Sequence, residues 1–286
     1  MLDNLQLVPG EAFSASEHLI SKVIDKISDV TGWVAAPKGN KAYQLEAEEY
    51  LIEQIKQNSN MPILAKAACI SNVRKVIREY QNQYNVLSTA LKFLDNSADL
   101  DGVDDDWLSY FFDNAKNVSK EDMTVLWGQI LAREINQPNR VPKALIYILS
   151  IIDYEDAMSF KKLANFSLET DGTYLPVIFI SKKGIYESNG LNMGDIIRLQ
   201  DTGLIQYNNL PYTISQSTEN KITYFDTVID VRGIEEICVG NVILSKTGQE
   251  LMSVVADKRK IDGFAEFVSD TIVREMGGMI EDILAE

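Results

Sequence analysis

Few side chains in this sequence are of the types that carry chemistry, and their spacing decides what they can do. The 286-residue chain has one histidine, His18, and two cysteines, Cys69 and Cys238. A Ser–His–Asp or Cys–His nucleophile would have to use His18. That residue stands beside Leu19 and Ile20 at the start of an amphipathic pattern and reads as a helix-surface residue. No Cys-x-x-Cys or Cys/His spacing is present, so no structural zinc site is expected. A reducing cytoplasm suits two distant cysteines better than a disulfide does. Asp99, Asp101 and Asp104 with Gly102 resemble a calcium loop only in part. The glycine comes too early, and Tyr110 stands where the closing glutamate belongs. Neither a phosphate-binding loop nor a Gly-x-Gly-x-x-Gly turn occurs. Asp153, Glu155 and Asp156 fall where a helix begins and read as helix-start charges. Glu134 is the one carboxylate inside an aromatic block, where pairing with Arg133, Arg140 or Lys143 would fix a helix bundle. No catalytic residue, cofactor or metal is assigned, and the chain reads as a non-enzyme.

One stretch carries residues suited to recognition. Asn192, Arg198 and Gln200 lie in the helical pattern 191–201, preceded by Lys182 and Lys183. In a winged-helix module this segment would be the helix laid in the major groove, and these side chains would reach bases and phosphates. Lys221 and Arg232 lie in the hairpin region that follows. Against this stand Asp195, Asp201, Asp226, Asp230, Glu235 and Glu236 in the same module. The whole chain carries a formal net charge of -15, which repels a phosphate backbone. Nucleic acid is therefore disfavoured, and a DNA-binding regulator is the alternative reading. A protein partner, or a second copy of the chain in a homo-oligomer, is preferred.

The elements that position these residues can be read from periodicity. Ser14 and Glu17 have capping-box spacing. Leu19, Ile20, Val23, Ile24, Ile27 and Val30 then form a helical stripe that ends at Gly32. A turn at 37–41 leads to a charged helix over 42–56. Pro62 opens the longest helical pattern, 63–94, which carries Arg74, Lys75 and Arg78 as a solvated face. An aspartate-rich linker, 95–106, caps a helix running to Lys116. Ser119 with Asp122 marks the start of the next helix, which Pro138 ends. Two more helices follow over 143–152 and from Asp153 to Asn165. After Asp171-Gly172 the pattern changes: a strand-like run from Tyr174 in which Pro176 implies an edge, a helix over 191–201, then strands at 212–215, 221–231 and 241–245. A final amphipathic helix, from Ile261 to Leu284, carries Phe264, Phe267, Val268, Ile272, Met276, Met279 and Ile283 on one face.

The expected fold is mainly α: a helical N-terminal region and helix bundle, followed by an α+β winged-helix-like C-terminal module. Its parts are 1–95 with the long helix, the compact bundle 96–170, the α+β module 171–260 and the C-terminal helix 261–286. Apolar residues make up 45% of the sequence, enough for a proper core. No apolar run approaches the roughly 20 residues of a membrane span, and the first residues lack a secretory pattern.

The bundle carries the most specific signal. It holds two of the three tryptophans, and Trp107, Phe111, Leu126, Trp127, Ile130 and Leu131 fall at helical spacing as two faces of one core. Ser119, Glu121, Met123, Leu126, Trp127, Ile130, Leu131, Ala132 and Glu134, followed by Pro138, resemble the central motif of a bacterial family, the domain of unknown function 2806 group. Arg133 stands where that pattern usually has glycine. Gly32 to Lys38 and the Leu-Ser-Lys-Thr-Gly-Gln-Glu-Leu segment at 244–251 are similar to the family's layout. The resemblance implies no activity for any residue. It implies a bacterial protein of mobile or defence loci, and hence an association with phage defence.

Overall fold

The computed structural model describes residues 15–35, 41–96, 98–215, 221–229, 236–255 and 258–272. Ser14, the turn at 37–40, Arg232 and the C-terminal helix beyond 272 lie outside these. The chain divides into two units, Met1–Ile146 and Tyr147–Glu286. The stretch 96–170 therefore contributes helices to both.

In the first unit, α1 (Glu17–Thr31) is capped by Ser16, whose hydroxyl accepts the Leu19 N–H at 3.3 Å. Val23, Ile24 and Ile27 form its buried stripe, and Gly32 ends it with φ 71°. That is a left-handed conformation for which glycine carries no Cβ penalty. Helix α2 (Lys41–Gln57) packs on α3 (Ile63–Ala90), which continues into a short 3-10 turn, Leu91–Phe93. The two halves of α3 differ. Residues 63–78 bury no side chain, whereas Tyr84, Val86, Leu87 and Ala90 are enclosed.

Helix α4 (Asp105–Ala115) starts where Asp104 accepts the Trp107 N–H at 2.7 Å. Helix α5 (Glu121–Asn136) follows Lys120 rather than Ser119, with no side-chain cap, so that spacing misplaced the start. Helix α5 lies along α3, and α4 packs on α1. Gly128 makes the α3–α5 approach possible: a Cβ there would stand 2.7 Å from Thr89 Cβ and Cγ2. Trp107 stacks on Phe111 with centroids 5.2 Å apart, and Phe111 meets Trp127 at 5.2 Å.

The division between the units falls inside α6 (Lys143–Ile151). The second unit continues with α7 (Tyr154–Ala164), β1 (Ser167–Thr170), β2 (Thr173–Pro176), α8 (Gly184–Glu187), α9 (Met193–Asp201), β3 (Ile205–Ser215), β4 (Ile222–Tyr224), β5 (Thr227–Ile229), β6 (Glu236–Leu244) and α10 (Lys246–Val254). Residues 264–272 are helical again. One antiparallel sheet has the order β2-β1-β4-β5. Pro176 lies in its edge strand β2, where a missing N–H interrupts no inner ladder.

Strand β3 pairs with β6 and skips the β4–β5 hairpin between them. Their register shifts between Tyr207 and Tyr212. Asn241 satisfies the irregular backbone there. Its amide donates to the Asn208 and Asn209 carbonyls at 3.0 Å each and accepts the Ile180 N–H at 3.0 Å. Beneath the sheet, Phe264 meets Phe166 and Tyr224 edge-on at 5.1 and 5.0 Å, which docks the 264–272 helix on the body of this unit.

The architecture is thus mainly α, with β structure among the described residues confined to the second unit. No described helix is long and apolar enough to cross a membrane.

Candidate functional site

The aromatic block is core. Trp107, Phe111, Trp127, Ile130 and Leu131 are buried, while Leu126 is half-buried. Glu134 is 1% exposed. Its carboxylate accepts the Asn139 N–H at 2.7 Å and the Val141 N–H at 2.8 Å. It therefore holds the backbone of the loop that leaves α5. The carbonyl of Val141 in turn accepts the Trp107 indole N–H at 2.8 Å.

His18 is exposed on α1. Cys69 and Cys238 are free thiols. The aspartate-rich linker is occupied locally: Asp99 accepts the Gly102 N–H at 3.2 Å, and Asp104 caps α4. Among the described residues no group of three or more His, Cys, Asp or Glu is placed to hold a metal ion.

Two capping boxes build the surface that remains. Helix α7 begins at Asp153, which accepts the Asp156 N–H at 2.9 Å, while Asp156 accepts the Asp153 N–H at 2.8 Å. Helix α9 begins at Asn192, paired with Asp195 in the same way at 3.2 and 2.9 Å. The helices are then tied together. The buried Asp195 carboxylate accepts from Ser159 at 2.7 Å and from Lys162 at 2.9 Å. Burial alone would push its pKa up. The hydrogen bonds from Ser159, Lys162 and the Asn192 backbone outweigh that and hold it below the ordinary carboxylate range.

Arg198, the only cation in α9, turns back onto α7. Its Nη2 donates to Glu155 at 2.9 Å and its Nη1 to Asp156 at 3.4 Å, with Asp153 at 3.9 Å. The Asp156 hydrogen bond and the surrounding carboxylates raise its pKa further. Asp153 is held low chiefly by the backbone hydrogen bond from Asp156.

The other residues expected to face nucleic acid are also engaged. Asn192 is the α9 cap, and Gln200 accepts the Tyr207 N–H at 3.2 Å. Lys182 sits 5.5 Å from the centre of the Phe179 ring. Lys183 lines a small apolar cavity of about 30 Å³ with Tyr186, Glu187 and Met193. The structure brings Asn192, Arg198 and Gln200 onto one helix and leaves Lys182 and Lys183 in the segment before α8.

Beside Arg198 lies an open groove of about 490 Å³, wholly within the second unit. Ile151, Ile152 and Ile197 supply its apolar lining, and Asp156, Arg198 and Asp201 its polar edge. Ile151 is 57% exposed and Ile197 is 51% exposed, which is high for residues of this size. The sequence reading missed both. For Ile151 the available signal was the run Ala144 to Ile152, apolar around more of the helix than one core face can bury.

The model of the family described as "Protein of unknown function (DUF2806)" matches residues 71–268. The groove lies inside that span. No curated protein and no solved structure matches the chain.

Proposed function

From the premise that the chain belongs to the DUF2806 family, we propose that it is a non-enzymatic interaction protein, a sensor or scaffold, whose working surface is the Ile151–Ile197 groove. The observation that carries this reading is the pair of large apolar side chains left in water beside a guanidinium already neutralised within the fold. Apolar surface rimmed by polar groups is the usual form of a protein-binding site. Self-association belongs to the same reading. Among the described side chains of α2 only Ile52 is buried, and a helix draws most of its stability from tertiary packing. A cytoplasmic setting is the reading that two distant free cysteines favour, and a part in antiviral defence is what the family resemblance implies.

The second reading is a winged-helix DNA-binding regulator. The order α8, α9, then the β3–β6 ribbon favours it. The internal engagement of Arg198, Gln200 and Asn192 counts against it, because base readout needs those groups to be available.

The test is capture from extract of cells that express the chain, with mass photometry of what is retained. Wild type is compared with the Ile151→Gln/Ile197→Gln double variant. The interaction reading expects a protein complex held by wild type and lost by the folded double variant. An identical set of retained proteins, or turnover of nucleotides or nucleic acid by the purified chain, would contradict it.

A further inference from the structure

The groove also carries information about what fills it. Its apolar part is three isoleucines from the end of α6, the segment after it and α9, with Gly194 leaving room beside Ile197. Along α9, Gly194, Ile197, Arg198 and Asp201 recur at three, four and seven, so one helical face runs the length of the groove. Gly194, Ile151, Ile197 and Asp201 are all exposed. A small molecule here would stay half in water, whereas small-molecule sites bury most of their ligand. The side of a helix needs only such a trough.

The net charge around it is negative. Asp153, Glu155, Asp156 and Asp201 stand at the groove or its rim against the single cation Arg198. Four carboxylates against one guanidinium leave three negative charges uncompensated by these neighbours. Glu155 and Asp153 have side chains 72% and 64% exposed, so they can meet an incoming cation without desolvating a core. An acidic peptide, a phosphate backbone and an anionic lipid surface are all repelled by this arrangement.

We infer that the groove receives a basic amphipathic helix from a partner protein. Its apolar side chains pack on Ile151, Ile152 and Ile197, and its Lys or Arg side chains face Glu155 and Asp201. This rests on the interaction reading above and adds the partner's chemistry to it.

Fluorescence anisotropy with two synthetic peptides tests it. Each has about 15 residues, long enough to favour a helix, with leucines at three- and four-residue spacing. One carries lysine at its polar positions and the other glutamate. The full chain is expected to bind the lysine peptide, and binding should weaken as salt is raised. The Ile151→Gln/Ile197→Gln variant, shown folded by circular dichroism, should bind it about tenfold more weakly, as should Asp201→Lys. Equal binding by wild type and the isoleucine variant would mean diffuse attraction to an acidic chain and would overturn the inference. Groove-dependent binding of the glutamate peptide would overturn the charge assignment while leaving the interaction reading standing. Binding of neither peptide would overturn the inference as well.

Discussion

Arg198 Nη2 lies 2.9 Å from Glu155 Oε2, so the one cation of α9 is spent inside the fold. A DNA-reading helix needs its guanidinium free to reach a guanine or a phosphate. Here Glu155, Asp156 and Asp153 surround it. Arg198→Ala should therefore leave retention on duplex DNA at low salt unchanged in a gel-shift assay, while the thermal midpoint falls because α7 and α9 lose a tie. Loss of salt-sensitive DNA binding on that substitution would instead favour the regulator reading.

The α3–α5 contact depends on the absence of a side chain at Gly128. An added Cβ would stand 2.7 Å from Thr89 and 3.0 Å from the Ala90 backbone nitrogen. Gly128→Ala should destabilise the chain by about 1–3 kcal/mol, the usual cost of overpacking. Trp127→Ala, which empties the core beside it, should cost about 3–5 kcal/mol. Urea denaturation followed by tryptophan fluorescence measures the first. The second removes one of the probes, so it is better followed by circular dichroism.

Gly240 and Asn241 act together where β6 passes Ile178. Gly240 has φ +88°, and a Cβ there would fall 2.2 Å from the Ile178 carbonyl oxygen. Asn241→Leu would strand the Ile180 N–H and the Asn208 and Asn209 carbonyls. It should cost about 1–3 kcal/mol, because three hydrogen bonds of a buried side chain, each with a net contribution of about 0.5–1.5 kcal/mol, are lost from a partly buried site. Gly240→Ala meets both a steric block and a disfavoured backbone and should be the more damaging. Thermal melts of the two variants, ranked against wild type, check the order.

Asp195 gives a pH dependence with a definite sign. Its pKa is held below the ordinary carboxylate value in the folded chain, so the unfolded chain binds its proton first as pH falls. The stability it contributes is complete above the unfolded value, near 3.9, and is lost as pH drops through the folded value. Asp195→Asn should lower stability at neutral pH and flatten the acid limb of the stability curve below about pH 4. An acid limb as steep as wild type's would show that other carboxylates control it.

How much of this was legible in the sequence depended on the range of the interaction. Local signals held. Asp153 with Asp156 marked the start of α7, Gly32 the end of α1 and Pro176 an edge strand. Helical spacing placed Trp107, Phe111 and Trp127 in one core. Ser119 failed as a cap because spacing alone does not choose among neighbouring residues; Lys120 holds that position. Long-range relations were not legible. The β3–β6 pairing passes over a complete hairpin, and nothing in either strand names its partner. Arg198 looks available when α9 is read alone, while the carboxylates that neutralise it lie on a helix some forty positions earlier. The groove escaped notice for the same reason. Each of its isoleucines looks like a core residue until the fold leaves it uncovered.

The central claim, that the groove is a protein-binding surface, is tested most directly by photocrosslinking in cells. A benzophenone amino acid is placed at Ile197, and as a control at Val228, an equally exposed position on β5. The account predicts a discrete protein adduct from position 197 that is absent from position 228. A nucleic-acid adduct at 197, or the same pattern from both positions, would contradict it.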